Sequence, residues 1–283
     1  MTANGPSPAA YTTGSAEVSP EVSWPLSGAA AACTERLGIT TGVTNHNTRH
    51  PVVTASYATT MHRLTGGRFA LGLGRGMDRM FDAYGLPRIT TAQLDDIAGL
   101  FRRLWNGEVI MGHDGPAGKW PVLALDPEFR EDIPLLVSAF GPQSLRLAGR
   151  AFDAVLLHTF FTDETLQRCV STVRQSAEQA GRDPMKVRMW SCFAVVGDWL
   201  PHDLQLKKTV GRMATYLQAY GDLMVRQSEY RSSCATVLSL TILPVFKVDL
   251  GSISTTSISS SATGQCSTPR GTTMNSPSLT MAS

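Results

Sequence analysis

The sequence predicts an α/β protein built on a parallel sheet, of the (β/α) barrel type rather than an open sheet. Strand-like and helix-like segments alternate from about residue 39 to residue 226, the order of parallel strands joined by crossover helices. The stretch Phe69 to Leu73, FALGL, is apolar without alternation, as expected of a strand covered on both faces. Helix ends are marked chemically. Pro51 and Pro142 stand where a first turn tolerates a missing N–H, and Gly66-Gly67, Gly107 and Gly181 stand where helices stop.

Three regions divide the chain. Residues 1 to 20 are rich in Ala, Ser, Thr, Gly and Pro and are expected to be disordered, and residues 21 to 230 carry the barrel domain. Residues 231 to 283 hold 22 Ser or Thr among 53 residues and only four charges, and are read as a low-complexity tail that is disordered or out of frame. Within the tail, Thr236 to Leu250 contains a β-prone apolar run that requires burial.

Inside the barrel region, Leu26, Ala29, Ala30 and Cys33 predict an Ala-rich helix from Trp24, closing at Gly38. The β-branched run Ile39 to Thr44 predicts a strand that stops at Asn45-His46-Asn47. Val53, Tyr57, Met61 and Leu64 recur at helical spacing after Pro51, and the strand Phe69 to Leu73 follows. Met77 to Arg88 reads as loop. Thr90 and Gln93 then form a capping box, with Ile89 and Leu94 placed as a staple and Leu94, Ile97, Phe101 and Leu104 on one face. Residues 108 to 125, punctuated by Gly and Pro, predict an excursion in the form of a small hairpin and a candidate lid. Further strands are expected at 133–139, 153–158 and 187–196. Helices are expected from Pro142, from Thr162 with Asp163 and Glu164 at its positive end, and over 201–226.

Composition excludes several classes. A net charge of +2, dispersed along the chain, argues against nucleic acid and membrane surfaces as partners. No apolar run reaches the roughly 18 residues of a spanning helix, and the N-terminus lacks a signal-peptide pattern, so a cytoplasmic location is expected. The five cysteines are odd in number and widely spaced, which predicts reduced, buried thiols. His46 and His50 are four apart, but Pro51 begins the helix only after them, so no metal site is assigned.

Gly72, Gly74 and Gly76, in GLGRGMD, suggest a dinucleotide fingerprint, yet Met77 occupies the third glycine position and the pattern fails. The glycines fit either a backbone lying close to a flat ligand or close packing. Phe140-Gly141-Pro142-Gln143 opens a helix whose first N–H groups could face an anion, and turn chemistry accounts for it equally well. His158 and Thr159 close the next strand at what would be the same end of the sheet, where parallel α/β proteins bind ligands. No residue reads as catalytic.

The motifs TNHNTRHP, TTMHRLTGGRFALGLGRG, RRLWNGEVI and SAFGPQSLRLAGRAFDAVLLHTF, in that order, resemble the bacterial luciferase-like monooxygenase family, in particular its deazaflavin-dependent actinobacterial branch. The resemblance covers about Trp24 to Arg226. It implies a (β/α)8 TIM-type barrel holding coenzyme F420, or alternatively FMN, against a small organic substrate, in a chain that pairs as a homodimer. It places Asn45 and its neighbours at the cofactor ring and makes Gly72-Leu73-Gly74 the bulge, often with a non-prolyl cis peptide, that props the ring. Arg75 would face substrate or the cofactor tail, and Phe140, Gly141, His158 and Thr159 would lie near the cofactor phosphate. Against the eight strands of such a barrel, five are recognisable, and two strands expected before Trp24 are missing. The acidic or histidine residues that the family places after its early strands have no counterpart. A truncated or frame-shifted member is therefore expected, with a catalytically inactive remnant as the alternative to an oxidoreductase.

Overall fold

The computed structural model describes residues 10–13, 23–158, 162–192, 196–211, 213, 214 and 217. In chain order the elements are β1 (Ala10–Thr13), α1 (Ser23–Ala32), β2 (Gly38–Thr41), α2 (Pro51–Leu64), β3 (Phe69–Leu73), α3 (Asp78–Tyr84), α4 (Thr91–Trp105), β4 (Ile110–Gly115), β5 (Gly118–Leu123), β6 (Leu135–Ala139), α5 (Pro142–Ala151), β7 (Ala154–Leu157), α6 (Asp163–Gln179), β8 (Arg188–Ser191) and α7 (His202–Leu206). Six strands make one all-parallel sheet in the order β1-β2-β3-β6-β7-β8, and β4 and β5 form a separate antiparallel hairpin. Among the described residues the sheet is an open half-barrel, with β1 and β8 as its edges.

Burial follows from this layering. β3 and β6 lie centrally, paired through Leu71 with Leu135 and Leu73 with Val137, all wholly buried as the unbroken apolar pattern requires. Phe69, Phe101, Phe129 and Phe152 are the largest fully buried side chains and fill the space between sheet and helices. The Thr90–Gln93 capping box of α4 is formed, with Gln93 N to Thr90 Oγ1 at 3.2 Å and Thr90 N to Gln93 Oε1 at 2.7 Å.

Several elements depart from the sequence expectation. Ala10–Thr13 lies in the segment expected to be disordered, yet it pairs with β2 through Tyr11 opposite Ile39, supplying one of the two strands expected to be missing. In α2 the buried face is Pro51, Thr54, Ala55, Ala58 and Met61, while Val53 and Leu64 are half exposed. Small alanines face inward because the helix lies close to the sheet; of the stripe read from the sequence, Met61 is buried and Tyr57 packs against the core, while Val53 and Leu64 are not. Asp78–Tyr84, expected as loop, is a short helix with Phe81 buried and Gly85 closing it at φ 67°. The helix expected over 201–226 is α7, passing into a π-helical turn at Lys207–Gly211, with Leu204, Leu206 and Val210 exposed. Beyond Gly211, residues 213, 214 and 217 are described and helical, with Leu217 buried, and the rest of that stretch and the tail from 231 lie outside the described residues. Cys169 is buried, but Cys33 is exposed. Among the described residues no helix is long and apolar enough to cross a membrane.

The hairpin expected over 108–125 is present, but its tip is fastened to α4. Its foot is sealed by Ile110 and Leu123, both buried, and Asp96 of α4 grips the turn between its strands.

Candidate functional site

The carboxyl ends of β2 and β3 are joined closely. Thr41 Oγ1 donates to Gly72 O and accepts from Gly72 N, both at 2.9 Å, and Thr44 N donates to Gly72 O at 2.8 Å. Gly74 N then reaches Thr44 O at 3.1 Å, and Asn45 Nδ2 donates to Gly74 O at 2.9 Å. The glycines serve this contact. A Cβ on Gly72 would lie 1.9 Å from Thr41 O, and one on Gly74 would lie 2.2 Å from Val43 Cγ2 and 2.8 Å from Ser138 Oγ. Gly76 has φ 67°, in the region that favours glycine.

The cis peptide expected at the Gly72–Gly74 bulge is found instead on the adjoining strand end, at Gly42–Val43. Leu73, central in that bulge, is fully buried and bridges to Thr44. Asn45 is buried and spends its amide donor on Gly74. Arg75 is held by its own loop, with Nε donating to Ile89 O at 2.7 Å and Nη2 3.9 Å from Asp78. The β2–α2 loop is anchored residue by residue. Asn47 Nδ2 donates to Pro87 O at 2.5 Å, Thr48 Oγ1 to Asn45 O at 2.8 Å, and the Arg49 guanidinium lies 4.2 Å from the Trp24 ring centre.

At the end of β6, the Phe140 and Gly141 N–H groups both reach Ser144 Oγ at 3.2 Å, and Ser144 Oγ donates to Gly141 O at 2.9 Å. Ser144 thus satisfies the donors that sequence reasoning offered to an anion. Pro142 has no N–H, so Gln143 and Ser144 carry the first-turn N–H groups without a partner inside the helix. His158 closes β7 with its ring at 63° to Phe140 and 4.9 Å away, bringing these two expected residues together. Thr159 lies outside the described residues.

Among the described residues, Thr44 Oγ1, His46 Nε2 and Asn47 Oδ1 at this end have no hydrogen-bond partner. Thr44 Oγ1 and His46 Nε2 belong to residues only 1% and 8% exposed. Burial pushes the His46 imidazole below its ordinary pKa, against weaker opposing effects of a backbone hydrogen bond and the Asp96 charge. Residue type alone gives no sign of these atoms, since Thr44 is one more β-branched strand residue and the His46/His50 spacing raises only metal ligation; the resemblance places Asn45 and its neighbours at the cofactor ring. Ser144 could have been found, since it stands three residues after the Gly141 cap, where side chains turn back to the helix start.

A parallel half-barrel with its glycine turn, helix start and unsatisfied polar atoms at the carboxyl strand ends defines an α/β protein of the TIM-barrel class. The luciferase-like monooxygenase family model matches residues 9–220, and the chain belongs to that family. The match begins with β1. The chain is 34% identical over 172 residues to a 5,10-methylenetetrahydromethanopterin reductase of Methanolobus tindarius, covering 58% of this chain and 51% of the relative. It is 36% identical over 157 residues to a phthiodiolone/phenolphthiodiolone dimycocerosates ketoreductase of Mycobacterium tuberculosis, covering 54% of this chain and 40% of the relative. The chain thus spans about half the length of these relatives, or less. Among solved structures, an F420-dependent secondary alcohol dehydrogenase in complex with an F420-acetone adduct matches with TM-score 0.59 at 23% identity, over 71% of this chain and 63% of that one. The coenzyme F420-dependent tetrahydromethanopterin reductase from Methanopyrus kandleri matches with TM-score 0.56 at 22% identity, over 77% and 70%. Both likenesses show the fold.

Proposed function

We propose that the chain is an oxidoreductase that binds coenzyme F420 at the carboxyl ends of β2, β3, β6 and β7 and acts on a small organic substrate. FMN is the second choice. The observation that carries this is a pair of buried atoms at the end of β2, Thr44 Oγ1 and His46 Nε2, that have no hydrogen-bond partner among the described residues. A buried hydroxyl or imidazole nitrogen without a partner costs about 1–3 kcal/mol, and a ligand that supplies the hydrogen bond recovers that cost. Membership of the family and the F420-dependence of two proteins sharing the fold support the choice of cofactor.

A deazaflavin supplies hydride-transfer chemistry when bound. Thr44 and His46 provide the polar contacts, with His46 neutral at pH 7 and so offering one N–H and one lone pair. Asn45 and the Gly72–Arg75 turn form a fixed wall. The Gln143 and Ser144 N–H groups at the start of α5 suit an anionic group, with Phe140, Gly141 and His158 around them. A cytoplasmic location and pairing of two copies go with this reading.

Fluorescence titration of the purified chain with F420 and with FMN, each oxidised and reduced, tests it. Saturable binding of F420, weakened in Thr44→Val, is expected. No binding to either cofactor would leave a folded non-enzyme and sink the proposal.

A further inference from the structure

We propose that the β4–β5 hairpin is a strap that fixes the β2–α2 loop at the ligand-binding end of the sheet, and that Asp96 is the positioning residue that fastens it. The proposal rests on the cofactor reading only for its effect on binding.

The fastening is a socket for one carboxylate. Asp96 Oδ2 accepts the Ala117 N–H at 2.9 Å and lies 3.0 Å from His113 Nε2, with the two side chains 18% and 12% exposed. Gly115 leaves the space open, since a Cβ there would lie 2.6 Å from both Asp96 Oδ2 and His113 Nε2. Hydrogen bonds to an ionised acceptor are about twice as strong as neutral ones. A two-stranded hairpin is marginal by itself; here Ile110 and Leu123 are buried at its foot, and Ala117 and Trp120 are partly buried against the core. Asp96 supplies the polar contacts that fix the turn of the hairpin against α4, beside the packing of Ala117 and Trp120.

From the socket, contacts run to the mouth loop. The His113 ring stacks on Trp120, with centres 5.6 Å apart and planes at 19°. Trp120 meets His50 edge-on, at 6.1 Å and 82°. His50 caps α2 by accepting the Val52 N–H on Nδ1 at 3.3 Å. It ends the same loop whose Asn45 holds Gly74 and whose flanking Thr44 and His46 carry the unpartnered atoms. Asp96 also exerts a charge effect on His46. Releasing the strap frees one end of this loop, and a ligand must then order it at the cost of affinity.

Hydrogen exchange measured by mass spectrometry on the full chain tests the strap directly, using segments 45–54 and 110–123 with 142–157 as control. Asp96→Ala should speed exchange in both test segments by about tenfold or more and leave the control unchanged. Asp96→Asn keeps an acceptor for Ala117 N–H and should restore most of the protection, which a general loss of folding would not show. F420 affinity should fall about tenfold in Asp96→Ala and less in Asp96→Asn. A hairpin that loosens while 45–54 keeps its wild-type exchange overturns the proposal. If Asp96→Ala does not fold, Trp120→Leu keeps the Asp96 contacts to His113 and the Ala117 N–H and removes the ring contacts to His113 and His50. That variant must then speed exchange at 45–54, and unchanged exchange there overturns the strap. Failure of the wild-type chain to bind F420 sinks the cofactor reading alone, and the exchange data still decide the strap.

Discussion

The two ends of the parallel sheet tie down their polar groups to different degrees. At the amino end, Asp153 is engaged on every side: Oδ2 accepts from Leu135 N at 2.9 Å and from Arg102 Nη2 at 2.8 Å, and Oδ1 faces Arg182 Nη2 at 3.5 Å. The same arginines reach back to Ala151 O at 3.1 Å and Gly149 O at 2.6 Å, tying α4, α5 and the end of α6 to one carboxylate. At the carboxyl end the backbone is fitted just as tightly, through the Gly72 and Gly74 contacts, yet Thr44 Oγ1 and His46 Nε2 remain without partners. The amino end is built to hold the barrel together. At the carboxyl end the strand ends are fitted rigidly and hold buried Thr44 Oγ1 and His46 Nε2 without partners among the described residues, whereas at the amino end His62 Nδ1 at the close of α2 is the comparable atom.

Gly72→Ala should have the largest effect. The new methyl would meet a backbone carbonyl at 1.9 Å, which no rotamer change relieves, so a loss of at least about 3 kcal/mol is expected in urea unfolding. A near-neutral result would mean that the strand ends are looser than the geometry requires. Asp153→Ala comes next. Leu135 N and two guanidiniums lose an acceptor, and since the carboxylate is 36% exposed the cost should be about 2 kcal/mol, with cofactor affinity per folded molecule unchanged. An equal loss of affinity would erase the contrast between the two ends.

The two ends also differed in how much the sequence revealed. Local chemistry was readable at helix starts, where the Thr90–Gln93 box, Pro51, Pro142 and the Thr162 cap are all used as expected. What depends on distance between elements was not readable. The inward face of α2 is alanine because of how near it lies to the sheet, and Gly72 is glycine because of Thr41 on another strand. β1 is too short to show a period, and its pairing with β2 creates it. At the site, the motif residues lie at the strand ends as anticipated. Their tasks were hidden, because Asn45, Arg75 and the Phe140-Gly141 amides are committed to partners that no spacing rule names. Thr44 and His46 are recognisable only by what surrounds them.

His46 gives a smaller, pH-dependent effect. Its pKa in the folded chain lies below the ordinary 6.5 because burial disfavours the charged ring, so the unfolded chain takes up the proton first as pH falls. The stability associated with neutral, buried His46 is complete above about pH 6.5 and declines as pH drops from there through the lowered pKa. His46→Gln removes that proton uptake. Urea midpoints at pH 7.5 and 5.5 should therefore converge in the variant relative to wild type, and an unchanged pH dependence would show that the imidazole is not effectively buried.

Thr44→Val should change stability least, and it separates the two ends most sharply. The hydroxyl is 1% exposed and makes no hydrogen bond, so replacing it with a methyl of similar shape removes a desolvated polar group and breaks no contact. The expected result is no loss, or a gain of at most about 1 kcal/mol. The same change should weaken F420 binding several-fold to about tenfold, because the ligand would lose the partner that the protein itself leaves unused. Stability and affinity moving in opposite directions is the signature of a polar atom kept for a ligand. A variant that loses stability instead would place a buried water or an unseen protein partner on Thr44 Oγ1, and the carboxyl end would then be as fully satisfied as the amino end.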